Sequence, residues 1–200
     1  MIEASAGEAV DVVLRDGGTL RLRPPGPADR EALVAFFTRL SDRSRYLRFH
    51  GVRRVDGDLV TSFLDEGPNA GALIGTLEGR IVALGSFVRL RGGDAAEMAF
   101  AVSDEEQGRG IGTRLLEQLA IRARRAGIER FVADVMAENR QALAVFADAG
   151  FEVSREFEVA RSSFAFQSGS PRDCERGSSN ETTRRSWHPY ARSSCRRPSL

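Results

Sequence analysis

The segment Gln107-Gly108-Arg109-Gly110-Ile111-Gly112-Thr113 carries glycines at alternate positions directly ahead of an apolar stripe at Leu115, Leu116, Leu119, Ala120 and Ala123. The stripe recurs at helical period, so the glycines open a helix. Amides at a helix start lack internal partners and point outward, and the helix dipole favours negative charge there. Without side chains in the way, a ligand can come up against the backbone. This is chemistry suited to holding a phosphate. It is not the dinucleotide fingerprint: counting G-x-G-x-x-G from Gly108 puts Thr113 last, and counting from Gly110 puts Leu115 there. A flexible loop before an amphipathic helix is the other reading of the spacing alone.

Two further residues have types that could do chemistry. In Ala96-Glu97-Met98-Ala99-Phe100-Ala101-Val102, strand alternation puts Glu97 on the face of Ala99 and Ala101, opposite Met98, Phe100 and Val102. A carboxylate beside small residues leaves room for a ligand and can accept a proton, although a solvated charge at a strand start satisfies the same pattern. Asn139 stands before the apolar set Ala142, Val145, Phe146 and Ala149. It can face a ligand or simply cap that helix. Cys174, Cys195 and His188 lack the spacing that metals prefer, so no metal is expected.

The elements that position these residues follow from periodicity. Val10, Val12 and Leu14 alternate with polar neighbours, Asp16-Gly17-Gly18 turns, and Leu20 and Leu22 resume, which predicts a hairpin. After Pro24-Pro25, Leu33, Phe37 and Leu40 fall at helical spacing, with shorter helices predicted over 44–49 and 58–64. Strands at 72–77, 81–90 and 95–102, joined by Glu78-Gly79-Arg80 and Gly92-Gly93-Asp94, predict an antiparallel meander. Gly127 stops the helix after the glycine turn, Phe131–Val135 is a short strand, and Gly150 ends the helix that follows Asn139. A last strand begins at Phe151 and Val153, and the elements after the meander are expected on one sheet with it.

Composition narrows the function classes. The chain has 200 residues, 42% hydrophobic and 28% charged, enough for one domain with a sizeable core. All 29 basic residues are Arg, which disfavours Walker-type phosphate loops, Schiff-base enzymes and kinases, since each needs a Lys ammonium. Net charge is +1, and the Arg-rich stretch 168–200 leaves the rest of the chain acidic, so a nucleic-acid partner is not expected. No apolar run reaches membrane-spanning length and the first residues do not read as a signal peptide, so a cytoplasmic protein without a membrane partner is expected.

With these elements in place, the sequence resembles the GNAT acetyltransferase superfamily. Its motif Q/R-x-x-G-x-G/A after the fourth strand is matched by Gln107, Gly110 and Gly112, and its second element by Asn139, Ala142, Val145-Phe146 and Gly150-Phe151. The string Ser44-Arg45-Tyr46-Leu47-Arg48-Phe49 is similar to one carried by the GNAT module of bacterial protein lysine acetyltransferases. The resemblance covers about residues 10–158. It implies an α/β fold with a mixed, mostly antiparallel sheet of about six or seven strands, splayed near the fourth and fifth. It implies acetyl-CoA as donor, with pyrophosphate on Gly108, Arg109, Gly110, Ile111, Gly112 and Thr113 and pantetheine along Val102 and Asn139. It also implies an amine acceptor, protein lysine being favoured over a small-molecule amine. In that group a Glu thirteen positions before the motif glycine acts as base, and the count back from Gly110 reaches Glu97. Many members carry a Tyr where this chain has Phe146, which leaves the general acid unassigned and keeps a CoA-sensing module without turnover as the rival class.

From about Val159 the chain turns to Ser, Arg, Pro, Gly and Asn, without apolar periodicity, so 159–200 is expected to be disordered. With a suitable choice of GC-rich codons, Val159 to Ser168 read one frame over can encode Gly-Ala-Val-Glu-Leu-Arg-Leu-Pro-Val, an alternating strand. The resemblance stops near Glu158, where one more strand is expected to complete the sheet, and a frameshift or truncation within 159–200 would account for its absence from this reading frame.

Overall fold

A computed structural model describes residues 9–51, 55–64, 66–91 and 93–149, together with the backbone of 161–163. The alternating residues at the start form the expected hairpin. Strand β1 (Val10–Val13) pairs antiparallel with β2 (Thr19–Arg23), and Leu20 and Leu22 are buried. Its turn holds Gly17 at φ +85°, where glycine has no steric cost, and the Asp16 carboxylate accepts a 3.0 Å bond from the Gly18 amide.

Three helices follow: α1 (Arg30–Arg39), α2 (Asp42–Phe49) and α3 (Gly57–Leu64). A short 3₁₀ turn at Pro27–Asp29 leads into α1, where Asp29 receives both nitrogens of the Arg23 guanidinium fork at 2.7 and 2.6 Å and the Gly26 amide at 2.8 Å. Strand β2 is thereby clamped to the first helix. The meander is β3 (Ala70–Leu77), β4 (Arg80–Arg89) and β5 (Ala95–Val102), within a residue or two of its predicted bounds. Then come α4 (Ile111–Arg125), β6 (Arg130–Val132), β7 (Asp134–Met136), α5 (Arg140–Asp148) and β8 (Arg161–Ser163).

Among the described residues the main sheet has six strands in the order β1-β2-β3-β4-β5-β6, antiparallel except for the parallel β5–β6 pair. Its centre is covered on both faces, which explains why β3 and β4 read as near-continuous apolar runs. On one face Leu115, Leu116, Leu119 and Ala123 of α4, with Phe146 of α5, pack against Leu20, Val82, Phe87, Met98 and Phe131. On the other, Leu33, Phe36 and Phe37 of α1 and Val60 and Phe63 of α3 pack against Ile74, Ile81, Leu84 and Ala101. A Cβ on Gly85 would come within 3.1 Å of Leu115 Cγ, so this glycine lets α4 lie close on the sheet.

Two expectations change. The segment 131–135 is not one strand: it breaks at Ala133, and β7 leaves the main sheet to pair antiparallel with β8 in a second, two-stranded sheet. The break comes where Phe100, Phe146 and Val145 fill the space beside β5, with the two aromatic rings 5.8 Å apart. The strand Arg161–Ser163 also falls beyond residue 158, so backbone pairing continues into the segment read as tail. Gly150, Phe151, Val153, the two cysteines, His188 and the rest of the tail lie outside the described residues.

The Arg23 guanidinium, then the Gly26 amide, hold the Asp29 carboxyl below the ordinary carboxylate range against the opposing effect of burial. Its contribution to stability is therefore complete above the unfolded value of about 4 and is lost as pH falls through the lowered folded value. Asp29→Asn should cost about 1–3 kcal/mol in urea unfolding at neutral pH. The difference from wild type should hold down to about pH 5 and shrink below about pH 4. A difference that stayed constant throughout acid would show that the charge of Asp29 has no part in the clamp.

Candidate functional site

Strand β6 pairs with β5 only at Ala95↔Arg130, Ala96↔Phe131 and Glu97↔Val132. Past these residues no strand among the described residues covers that edge of β5, and a cavity of about 280 Å³ occupies the opening. Met98 to Val102 form one wall and Ala133 to Val135 the other. Asn139, Ala142, Val145 and Phe146 of α5 close one side, and Ser44, Leu47 and Arg48 of α2 contribute from another. The turn before α4 forms one end. Small and apolar residues lining a narrow opening suit a thin, largely apolar chain.

At the turn, Gly108 and Gly110 have φ of +79° and +85°, with Arg109 between them in the ordinary region. Alternation of this kind turns successive N–H groups toward one concavity, an anion-binding nest. The first helical bond of α4 runs from the Arg114 amide to the Gly110 carbonyl at 3.2 Å, and Gly110 offers no capping side chain. Among the described residues the amides of Gly108 through Thr113 find no acceptor. Orphan donors aimed at a cavity have a functional reading, because buried ones would otherwise be costly. Gly112 has a different reason: a Cβ there would lie 3.2 Å from Val145 and 3.3 Å from Phe100, so it permits close packing of α4 against α5 and β5.

The residues singled out in the sequence are not all brought together. Val102, Gln107, Gly108, Gly110, Ile111, Gly112, Thr113 and Asn139 line the one cavity. Gln107 also donates a 3.2 Å bond to the Val102 carbonyl, fixing the loop to the end of β5, and Asn139 accepts the Ala142 amide at 3.1 Å, so it caps α5 as well. Arg109 does not line the cavity, because its guanidinium is held by Asp16, at 2.5 Å from Nε, and by Glu106. Those two partners push the Arg109 pKa up, and the Arg109 guanidinium, then the Gly18 amide, hold Asp16 below its ordinary value. Glu97 lies on the face of Ala99 and Ala101, as alternation requires, but it is exposed and outside the cavity lining.

Several lining residues escaped the sequence reading. Ser44 belongs to a network in which Asp104 accepts from the Ser41 amide at 2.9 Å and from the Ser41 and Ser44 hydroxyls at 2.7 and 2.6 Å. Burial raises the Asp104 pKa, but the Ser44 and Ser41 bonds outweigh it and leave the carboxyl below its usual range. The effect is to tether the start of α2 to the loop that precedes the glycine turn. Only the Ser-x-x-Ser spacing at the head of α2 hinted at this. Arg15, from the β1–β2 turn, and Asp134 and Asp148 also line the cavity, and nothing local in the sequence marks them. Phe146 is buried with its ring against Phe100, so the position carries no hydroxyl. Tyr46, on α2, is exposed.

Among the described residues, no group of three or more His, Cys, Asp or Glu could hold a metal ion, and no helix is long and apolar enough to cross a membrane. The sequence model of the acetyltransferase (GNAT) family matches residues 33–151. Acetyltransferase Pat of Mycolicibacterium smegmatis is 35% identical over 136 residues, which are 65% of this chain and 40% of that protein. The chain thus spans well under half the length of that relative. The crystal structure of the GNAT domain of S. lividans PAT superposes with a TM-score of 0.75 at 38% identity, covering 80% of this chain and 96% of that one. A cAMP-binding acyltransferase from Mycobacterium smegmatis superposes with a TM-score of 0.56 at 28% identity, covering 81% of this chain and 48% of that one.

The close contacts at Gly112 make it a packing residue first, so its replacement is not a clean probe of ligand binding. Gly112→Val should lower stability by about 1–3 kcal/mol without any ligand present, read from the urea midpoint. Adding Val145→Ala should return part of that loss, because it removes the methyl groups in the way. An unchanged midpoint for Gly112→Val would mean that α4 does not pack as tightly as described.

Proposed function

This chain belongs to the acetyltransferase (GNAT) family, and from that premise we propose that it moves an acetyl group from acetyl-CoA to an amine, protein lysine side chains being the acceptor class. The observation that carries this reading is the set of partnerless amides from Gly108 to Thr113 at one end of a narrow apolar opening between β5 and β7. A pyrophosphate fits the first and a pantetheine arm the second. The string Ser44 to Phe49 and the likeness to the GNAT domain of S. lividans PAT support a protein acceptor. We assign the activity to residues 10–158.

When bound, acetyl-CoA supplies an activated acyl carbon and a thiol leaving group. The chain's part is mostly placement, since a near-attack geometry accounts for much of the barrier in such transfers. The turn amides fix the phosphate end, and Val102, Ala142 and Val145 line the apolar path toward the reacting end. An incoming amine must lose a proton. Glu97 serves as the base, reached from the α2 side of β5, two residues along from Ala99, or roughly 7 Å by strand rise. That distance requires a water relay. As the amine nitrogen bonded to the acyl carbon and the carbon–sulfur bond broke, Phe146 would have no proton to give the departing thiolate, which would take one from water.

Phe146 also favours a second reading, in which the domain binds the coenzyme without turnover. Release of free thiol in the presence of an amine separates the two. Glu97→Gln keeps the shape of the side chain but cannot accept a proton. It should leave acetyl-CoA affinity nearly unchanged and slow transfer by about 10²–10⁴-fold. Thiol release from wild type and variant across a pH series, with one lysine peptide as acceptor, provides the measurement. Equal rates at every pH, under conditions where chemistry limits turnover, would reduce Glu97 to a surface charge.

A further inference from the structure

The β1–β2 turn reaches over the glycine turn, and what holds it there is the pairing of Asp16 with Arg109. The next residue back, Arg15, lies against Gly110: a Cβ on that glycine would touch Arg15 Cγ and Nε at 3.6 Å. Arg15 lines the same cavity as Gly108, Gly110 and Thr113, so its guanidinium stands beside the orphan amides. Its partner is the Asp148 carboxylate at 3.5 Å, with side chains 72% and 55% exposed. Such a pair is long, solvated and weak. Arg109, within the turn, is already taken by Asp16 and Glu106, and Glu106 is further paired with Arg80 at 3.2 Å.

We propose that Arg15 binds a phosphate of the coenzyme beside the Gly108–Thr113 amides, and that Asp148 holds the guanidinium in place until that phosphate displaces it. The inference rests on the acetyl-CoA reading above and adds a side chain to it. A phosphate offers the planar fork two parallel, charge-assisted bonds in place of one stretched contact. The phosphate can be the pyrophosphate at the nest or the one on the ribose, since both lie at the phosphate end of the ligand. Arg15 comes from the hairpin ahead of residue 33, where the family match begins, so the hairpin would act as part of the binding site as well as the sheet.

Calorimetry on the full chain with CoA and with dephospho-CoA, for wild type, Arg15→Gln, Asp148→Asn and the double variant, tests this. Both positions are exposed, so melting temperatures should stay within a degree or two. Arg15→Gln should weaken CoA binding about tenfold. Loss of the same size with both ligands identifies the pyrophosphate, whereas loss with CoA alone identifies the ribose phosphate. Asp148→Asn should tighten binding by a few-fold when Arg15 is present and by less in the Arg15→Gln background. Wild-type affinity of Arg15→Gln for both ligands would overturn the proposal, and equal tightening by Asp148→Asn in both backgrounds would overturn the role given to Asp148. Failure of the wild type to bind either ligand would instead remove the acetyl-CoA reading on which the inference rests.

Discussion

The parting of two parallel strands after three residue pairs is the constraint on which the site depends. Strands β5 and β6 stay together from Ala95 to Glu97, and beyond that the chain breaks at Ala133 so that β7 can pair elsewhere. A fully paired sheet would have no cavity here. The opening is kept by side chains that cannot be flattened into a strand interface: Phe100 tilted against Phe146, and Val145 pressed against Gly112. Helix α5 thus acts as the wedge, and Asn139 fixes where it begins. The edge of β5 that loses its partner becomes a wall of the cavity.

The two ends of the opening are set by different devices. At the phosphate end, glycines do two separate jobs within five residues. Gly108 and Gly110 permit positive φ and so turn the amides inward, whereas Gly112 brings α4 close to α5. At the α2 side, the carboxylate of Asp104 ties the head of α2 to the loop that leads into the turn. That tether is far in sequence and short in space. It links α2, which lines one side of the cavity, to the loop that leads into the glycine turn at its end.

Much of this was legible in the chain itself. The hairpin, the meander, α4 and α5 followed from periods of 2 and 3.6 with turn residues between them, and the Gly108–Thr113 turn stood out because three glycines precede a clear apolar stripe. The break at Ala133 was not legible, since Phe131 to Val135 alternates as one strand and only the packing of Phe100 and Phe146 divides it. Arg109 enters the motif reading through its backbone amide, which has no acceptor among the described residues. Its guanidinium is taken by Asp16, ninety-three residues away, a pairing that nothing in the local spacing marks. Arg15 and Asp104 were missed for the same physical reason: their roles arise from contacts across the fold, and no local spacing announces them.

The central claim is that the amides from Gly108 to Thr113 are held free for a phosphate-bearing ligand. Amide chemical shifts of the ¹⁵N-labelled chain, followed as CoA is added, test it most directly. The account predicts that the largest downfield proton shifts fall on Gly108, Gly110, Ile111, Gly112 and Thr113, as new hydrogen bonds form, with smaller changes along Met98 to Val102. Saturable binding that left those turn amides unmoved while shifting another surface would contradict it.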